Sequence, residues 1–219
     1  MKEIFIKVDV FNLDSRVIER AARFINKGQV VVCPTDTGYA FTANALDTRA
    51  IARVFDLKGR SFANPIHVAV NTIEEAEKYA QVDEVARYLA DHFLPGALTM
   101  VLPRTEIVPS MLVAGLDTVG IRIPDNNVIL KLTAAVARPL TTTSANISGR
   151  PAPYSIDEIM EQMGDDIHKV SLILDQGPIQ TRELSTIVDL SVRPPQLIRQ
   201  GRVSWLEIRE VLNRFKSTE

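Results

Sequence analysis

A lysine and an arginine flank a glycine at Lys58-Gly59-Arg60, just past a helical stretch and ahead of Ser61-Phe62-Ala63-Asn64-Pro65. Arginine offers a planar fork and lysine a compact charge, so the pair could grip phosphates; it could equally complement the C-terminus of the preceding helix. A third cation, Arg122, interrupts the apolar run Val119-Gly120-Ile121-Arg122-Ile123-Pro124. Alternation in a half-buried strand would send it to solvent, whereas a cation held inside would bind a carboxylate or phosphate. Residues 142–149, TTSANISG, offer hydroxyls, an amide and a glycine without charge. That lining suits a neutral or anionic ligand, or is simply a Ser/Asn-rich loop. Polar turns also follow apolar runs at Pro34-Thr35-Asp36-Thr37-Gly38-Tyr39, at Ser185-Thr186-Ile187-Val188-Asp189 and at Leu197-Ile198-Arg199-Gln200-Gly201. Loops at strand ends are where sheets hold ligands.

Other chemistries find little support. The chain has no GxxxxGK[ST] phosphate loop and no GxGxxG dinucleotide fingerprint. His67, His92 and His168 are far apart and form no HExxH, which argues against a histidine metal site. Ser144 is not in a GxSxG elbow. The single cysteine, Cys33, allows no internal disulfide and reads as a small buried apolar residue at a strand end. A net charge of −2 gives no global attraction to nucleic acid or anionic membrane, so a polyanion site must be a local cluster of cations. Neither a signal-peptide core nor an apolar stretch of ~18 residues occurs, and a reducing cytoplasm fits these features.

The elements that must position these residues follow from periodicity. With 219 residues, 46% of them hydrophobic and 24% charged, the chain can bury a sizeable core. Helices are expected at 14–27, with Val17, Ile18, Ala21, Ala22, Phe24 and Ile25 on one face, and at 48–57, 83–93 and 127–137. Capping boxes at Thr72/Glu75, Ser155/Glu158 and Ser204/Glu207 open further helices, the last spanning about 204–216. Strands are expected at 29–33, 65–70, 97–102, 118–124, 139–143, 171–175, 185–190 and 195–201. Helices and strands interleave without strict alternation. This predicts an α/β chain of the α+β type: a single domain over 1–219, with one twisted mixed β-sheet and helices on both faces.

In order and spacing, PTDTGYAF, KGRSFANP, PGALTMVL, VGIRIP, TSANISG, STIVDL and LIRQG resemble the YrdC/TsaC family over about residues 14–201. The KxR and SxN pair, here Lys58/Arg60 and Ser144/Asn146, is specific to that family. Gly38 before Tyr39 and Ala40 after it depart from the usual first motif and are similar to the YciO-like branch. That branch commonly loses KxR and SxN, which are both present here. A longer form of the family adds a C-terminal domain and a linker, so this chain resembles the short form.

The resemblance implies a twisted mixed sheet around a central cationic cavity. It also implies an L-threonylcarbamoyladenylate synthase acting on L-threonine, bicarbonate and ATP, with Mg²⁺ held mainly by ATP. Lys58, Arg60, Ser144 and Asn146 would be catalytic. Thr35, His67, Arg122, Thr142 and Ser185 would bind threonine. Lys58, Arg60, Phe62, Thr118, Ser144, Ala152 and Arg199 would bind ATP. A threonylcarbamoyl-transferase complex would take the product to tRNA, which could also touch this chain; no membrane is involved. Two alternatives are a non-catalytic binder of tRNA or double-stranded RNA, and a paralogue acting on a related carbamoyl adenylate, as in the similar domain of hydrogenase-maturation carbamoyltransferases. Against RNA binding, the sequence shows no basic stripe and no RNA-reading aromatic set.

Overall fold

The expected strand at 29–33 runs on through Pro34 to Thr35. This strand, β2 (Val31–Thr35), turns at Asp36-Thr37 and pairs antiparallel with β3 (Gly38–Thr42), a strand that the reading of this stretch as a polar turn had missed. Pro34 is tolerated because the strand on the other side, β9 (Leu172–Asp175), pairs only with Val31 and Val32. The computed structural model describes residues 4–216.

The strands form two mixed sheets rather than one. The five-stranded sheet has the order β1-β9-β2-β3-β8, adding β1 (Phe5–Lys7), also unexpected, and β8 (Thr143–Ser144). The six-stranded sheet has the order β11-β10-β5-β6-β4-β7. Its members are β4 (Val68–Ala69), β5 (Leu98–Pro103), β6 (Thr118–Arg122), β7 (Leu140–Thr141), β10 (Thr186–Asp189) and β11 (Gln196–Arg199). The run expected as one strand over 139–143 is where the sheets part company. Leu140 and Thr141 join β4, Thr143 and Ser144 join β3, and Thr142 lies between them. Hydrophobic alternation marks such a run as extended but carries no information about which neighbour takes each end.

The helices cover these sheets. In α1 (Ser15–Asn26), Asp14 caps the N-terminus by accepting from the Arg16 amide, and Ile18, Ala21, Ala22 and Ile25 are buried. α1 and α5 (Asn127–Val136) share a core with Val31, Cys33, Leu172 and Leu174. The alternate residues Val30 and Val32 point into the larger core, with Phe41, Met100, Ile121 and Val188. Burial on both faces explains why this stretch reads as an unbroken apolar run. Cys33 is fully buried, and burial pushes its thiol up to about 12, so it is an inert core residue. α2 (Thr48–Lys58) is capped by Asp47 and delivers Lys58 at its last residue. α3 (Ile73–Ala76), α4 (Glu84–Phe93), α6 (Ile156–Met163) and α7 (Trp205–Lys216) follow, with a 3-10 turn at Gly164–Lys169. Each of the three expected capping pairs caps its helix but makes only one of the two reciprocal bonds of a capping box. Thr72 and Ser155 accept from the amides of Glu75 and Glu158, and the Glu207 carboxylate accepts from the Ser204 amide.

Candidate active site

Arg122 does not reach solvent. Its strand β6 is buried on both sides, and the side chain is held inside by three acceptors. Nη2 donates to Asp36 Oδ1 at 2.6 Å, Nη1 to Thr37 Oγ1 at 2.5 Å and Nε to the Gly96 carbonyl at 3.1 Å. Both members of the Arg122–Asp36 pair are over nine-tenths buried. Burial lowers the Arg122 pKa and Asp36 opposes that shift; the guanidinium remains charged. One N–H on each terminal nitrogen is left over, a fixed fork for a carboxylate.

The fork opens on a hollow of about 240 Å³ between the sheets. Thr35, Gly38, Tyr39 and Ser144 line it from the five-stranded sheet; Thr99, Arg122, Ile187 and Arg199 line it from the six-stranded one. Thr35 Oγ1 donates to the Gly38 carbonyl at 2.7 Å and accepts from the Thr37 amide, which tightens the β2–β3 turn. Gly38 has φ +131°, a conformation that other residues rarely adopt, and a Cβ there would lie 3.2 Å from the Pro153 carbonyl. Arg199 wraps the Ser185 carbonyl with Nε and Nη2 at 3.2 and 2.8 Å, and Nη2 also reaches Ser185 Oγ. Ser185 Oγ lies 3.0 Å from Thr99 Oγ1. His67 presents its ring to the same hollow, and Thr142 clips its backbone by donating to the His67 carbonyl at 3.0 Å. Burial, together with Arg199, Arg60 and Arg122, pushes the His67 imidazole down to about 4, so it is neutral at pH 7.

A second hollow, about 310 Å³, adjoins the first and is lined by Lys58, Arg60, Asn64, Ser144, Asn146, Ser148 and Gly149. Lys58 is 1% exposed. Its ammonium donates to the Ser144 carbonyl at 2.5 Å, to Asn146 Oδ1 at 2.8 Å and to the Asn146 carbonyl at 3.2 Å. Burial, reinforced by the charge of Arg60, pushes the Lys58 ammonium down to about 7. Ser144 Oγ donates to Asn146 Oδ1 at 2.6 Å, and Asn146 Nδ2 donates to the Arg150 carbonyl. Arg60 lies in both hollows; Nη2 donates to the Pro65 carbonyl, while Nε is buried without a partner. An anion bridging the two hollows would satisfy that N–H.

Eight of the residues singled out from sequence line the first hollow: Thr35, Arg60, His67, Arg122, Thr142, Ser144, Ser185 and Arg199. Lys58 and Asn146 lie in the second, which shares Arg60 and Ser144 with the first. Phe62, Thr118 and Ala152 line neither. Phe62 is 53% exposed and stacks on Phe55 at 4.6 Å; Thr118 pairs with Pro103 at the start of β6; Ala152 packs against the larger core. Sequence reasoning quoted the motifs holding Asp36, Thr37 and Thr99 but gave those residues no role. The signal available was a carboxylate near a buried cation, yet the two are 86 positions apart.

The fold is mixed α/β, and two joined hollows between its sheets gather the buried Arg122 and Lys58 with the partly buried Arg60 and Arg199. The chain belongs to the Sua5/YciO/YrdC family, whose model, described as "Telomere recombination", matches residues 23–201. It is 39% identical to the threonylcarbamoyl-AMP synthase of Pyrococcus abyssi over 212 residues, covering 94% of this chain and 62% of that relative. Among solved structures, it superposes with a TM-score of 0.90 on P. abyssi Sua5 complexed with L-threonine, at 39% identity over 95% of this chain and 61% of that one. E. coli YciO superposes with a TM-score of 0.80 at 28% identity, covering 92% of this chain and 96% of that one. This chain thus spans about three fifths of the length of the P. abyssi protein.

Proposed function

We propose that this chain joins L-threonine, bicarbonate and ATP into threonylcarbamoyl-AMP, releasing pyrophosphate. The observation that carries this reading is the sharing of Arg60 and Ser144 between a hollow suited to an amino acid and one suited to phosphates. The threonine carboxylate meets the Arg122 fork, with Thr35, His67, Thr142 and Ser185 around it. The triphosphate lies against Lys58 and Arg60, with Arg199 on the nucleotide side. The placing of Phe62, Thr118 and Ala152 beside ATP rests on the family resemblance alone.

The reaction needs no protein nucleophile. The threonine amine adds to the carbon of bicarbonate, and loss of water leaves a carbamate. A carbamate oxygen then attacks the α-phosphorus, and the bond to pyrophosphate breaks. The protein's work is to hold the reactants at the junction of the hollows and to stabilise charge as pyrophosphate departs. Lys58 and Arg60 supply that charge. The oxygens beside the phosphate hollow come from Ser144 and Asn146 rather than from carboxylates. A magnesium ion entering with ATP would therefore be held chiefly by phosphate oxygens and water, and would neutralise phosphate charge. In the cytoplasm, a transferase complex would then pass the threonylcarbamoyl group to tRNA adenosine.

The test is mass spectrometry of the product formed from ATP, threonine and ¹³C-bicarbonate. Labelled threonylcarbamoyl-AMP is expected, and a carbamoyl adenylate without threonine would overturn the reading. Lys58→Ala and Arg60→Ala are expected to cut threonine- and bicarbonate-dependent pyrophosphate release at least a hundredfold while the chain stays folded. Unchanged rates would defeat the assignment of those two cations.

A further inference from the structure

The charges around the first hollow are lopsided. Arg60, Arg122 and Arg199 reach it from three separate segments, and among the described residues no aspartate or glutamate lines it. The nearest carboxylate in that network, Asp36, is committed to Arg122 at 2.6 Å. Tyr39 also lines the hollow, but its hydroxyl donates toward Asp175 and the Gly177 carbonyl. Lys58 adds a cation in the adjoining hollow. An amino acid in this place finds cations for its carboxylate and no anion for its ammonium.

We propose that the first hollow binds threonine as its amine-neutral anion, H₂N–CHR–COO⁻, so that binding itself generates the nucleophile that attacks bicarbonate. This deepens the synthase reading and rests on it. The proton leaves the ammonium nitrogen for solvent as the amino acid enters, and the lone pair stays on nitrogen. Asp36 offsets the charge of Arg122, but Arg60 and Arg199 have no carboxylate partner among the described residues, and their charges disfavour any further cation nearby, which is the rule that depresses amine pKa values beside like charges. The His67 imidazole feels the same field: burial first, and then the charges of Arg199, Arg60 and Arg122, hold it below its usual range. Being neutral, His67 can accept a hydrogen bond from the amine without competing for its lone pair. The ring occupies the space a side chain at position 120 would fill: a Cβ on Gly120 would lie 2.4 Å from His67 Cδ2. The same field would gather bicarbonate, also an anion, beside the amine.

The test is a pH titration by ¹⁵N NMR of [¹⁵N]threonine bound to the full chain, which reads the protonation state of the amine directly. The apparent pKa of the bound amine is expected to lie at least one pH unit below that of free threonine in the same buffer. A value equal to or above that of free threonine would overturn the inference while leaving the substrate assignment intact. Absence of threonine binding to the folded chain would instead sink the synthase reading and this inference with it. Thr142→Asp places a carboxylate in the lining and is expected to move the bound amine's pKa back toward the free value. A shift that persists in full in that variant would show that the arginines are not its cause and would overturn the inference. If the variant does not fold, the wild-type titration decides alone.

Discussion

Lys58 is surrounded by two carbonyls and an amide oxygen but no carboxylate, so its charge is solvated without being neutralised. Burial, reinforced by Arg60, pushes its pKa down to about 7, so it titrates within the neutral range. A triphosphate favours the protonated form and raises that pKa. ATP binding should therefore take up a proton above pH 7, and affinity should fall as pH rises from 7 to 9, by at most about tenfold per unit. Calorimetric ATP titrations across that range would check this; a dissociation constant that stays flat contradicts it. Asp36 acts at one remove, through Arg122. Asp36→Asn keeps an acceptor on Nη2 but removes the charge, leaving a buried guanidinium with weaker anchoring. The expected outcome is a threonine KM raised about tenfold or more, a much smaller change in kcat, and a stability loss of about 1–3 kcal/mol. Steady-state kinetics with urea unfolding would measure both.

At the scale of elements, site residues are fixed by how closely strands approach. Gly201 follows β11, and a Cβ there would sit 2.2 Å from the Leu184 carbonyl and 2.6 Å from the Thr186 amide nitrogen. These are backbone atoms and cannot swing aside, so Gly201→Ala must push β11 away from the start of β10. Ser185 and Arg199 lie on those two segments, and their hydrogen bonds would lengthen together. The variant is expected to lose about 1–3 kcal/mol of stability and to bind threonine more weakly. Thermal denaturation and a binding isotherm would read the two effects; tight binding in a destabilised variant would show that the β10–β11 contact does not position the site. Gly120 differs, because its obstacle is a side chain beside open space, so a methyl there would turn His67 into the hollow rather than part the strands.

At the scale of the molecule, the site lies where two sheets meet and draws residues from both. One larger core runs beneath them, joining Val32 and Phe41 of one sheet to Met100, Ile121 and Val188 of the other. Met100 is fully buried, and its strand neighbour Thr99 lines the hollow. Met100→Ala should cost about 2–5 kcal/mol through lost burial and a residual cavity. Assayed well below its unfolding transition, it should keep kcat/KM within about twofold, because no atom of the hollow is removed. A large fall in activity under those conditions would mean that the core couples to the site more tightly than packing alone requires. A net charge of −2 on the whole chain also does not prevent a cationic hollow, because the charges that matter are a few side chains withdrawn from solvent. Among the described residues, no helix is long and apolar enough to cross a membrane.

Local chemistry was legible in the sequence because it depends on neighbours a few positions apart. The caps at Thr72, Ser155 and Ser204 and the buried run at Val30–Cys33 belong to short segments whose needs can be read in place, whereas the KxR and SxN pairs gained their meaning from the family resemblance. Partnership across the fold was not legible. Whether Arg122 faces water or the interior, that Asp36 is its counter-ion, and that Thr142 marks the passage from one sheet to the other all turn on which strands lie side by side. Periodicity gives each strand two faces but never names the strand next to it. The sequence therefore supplied the charges and hydroxyls, and only the packing of two sheets gathered them around joined hollows with one carboxylate already spent.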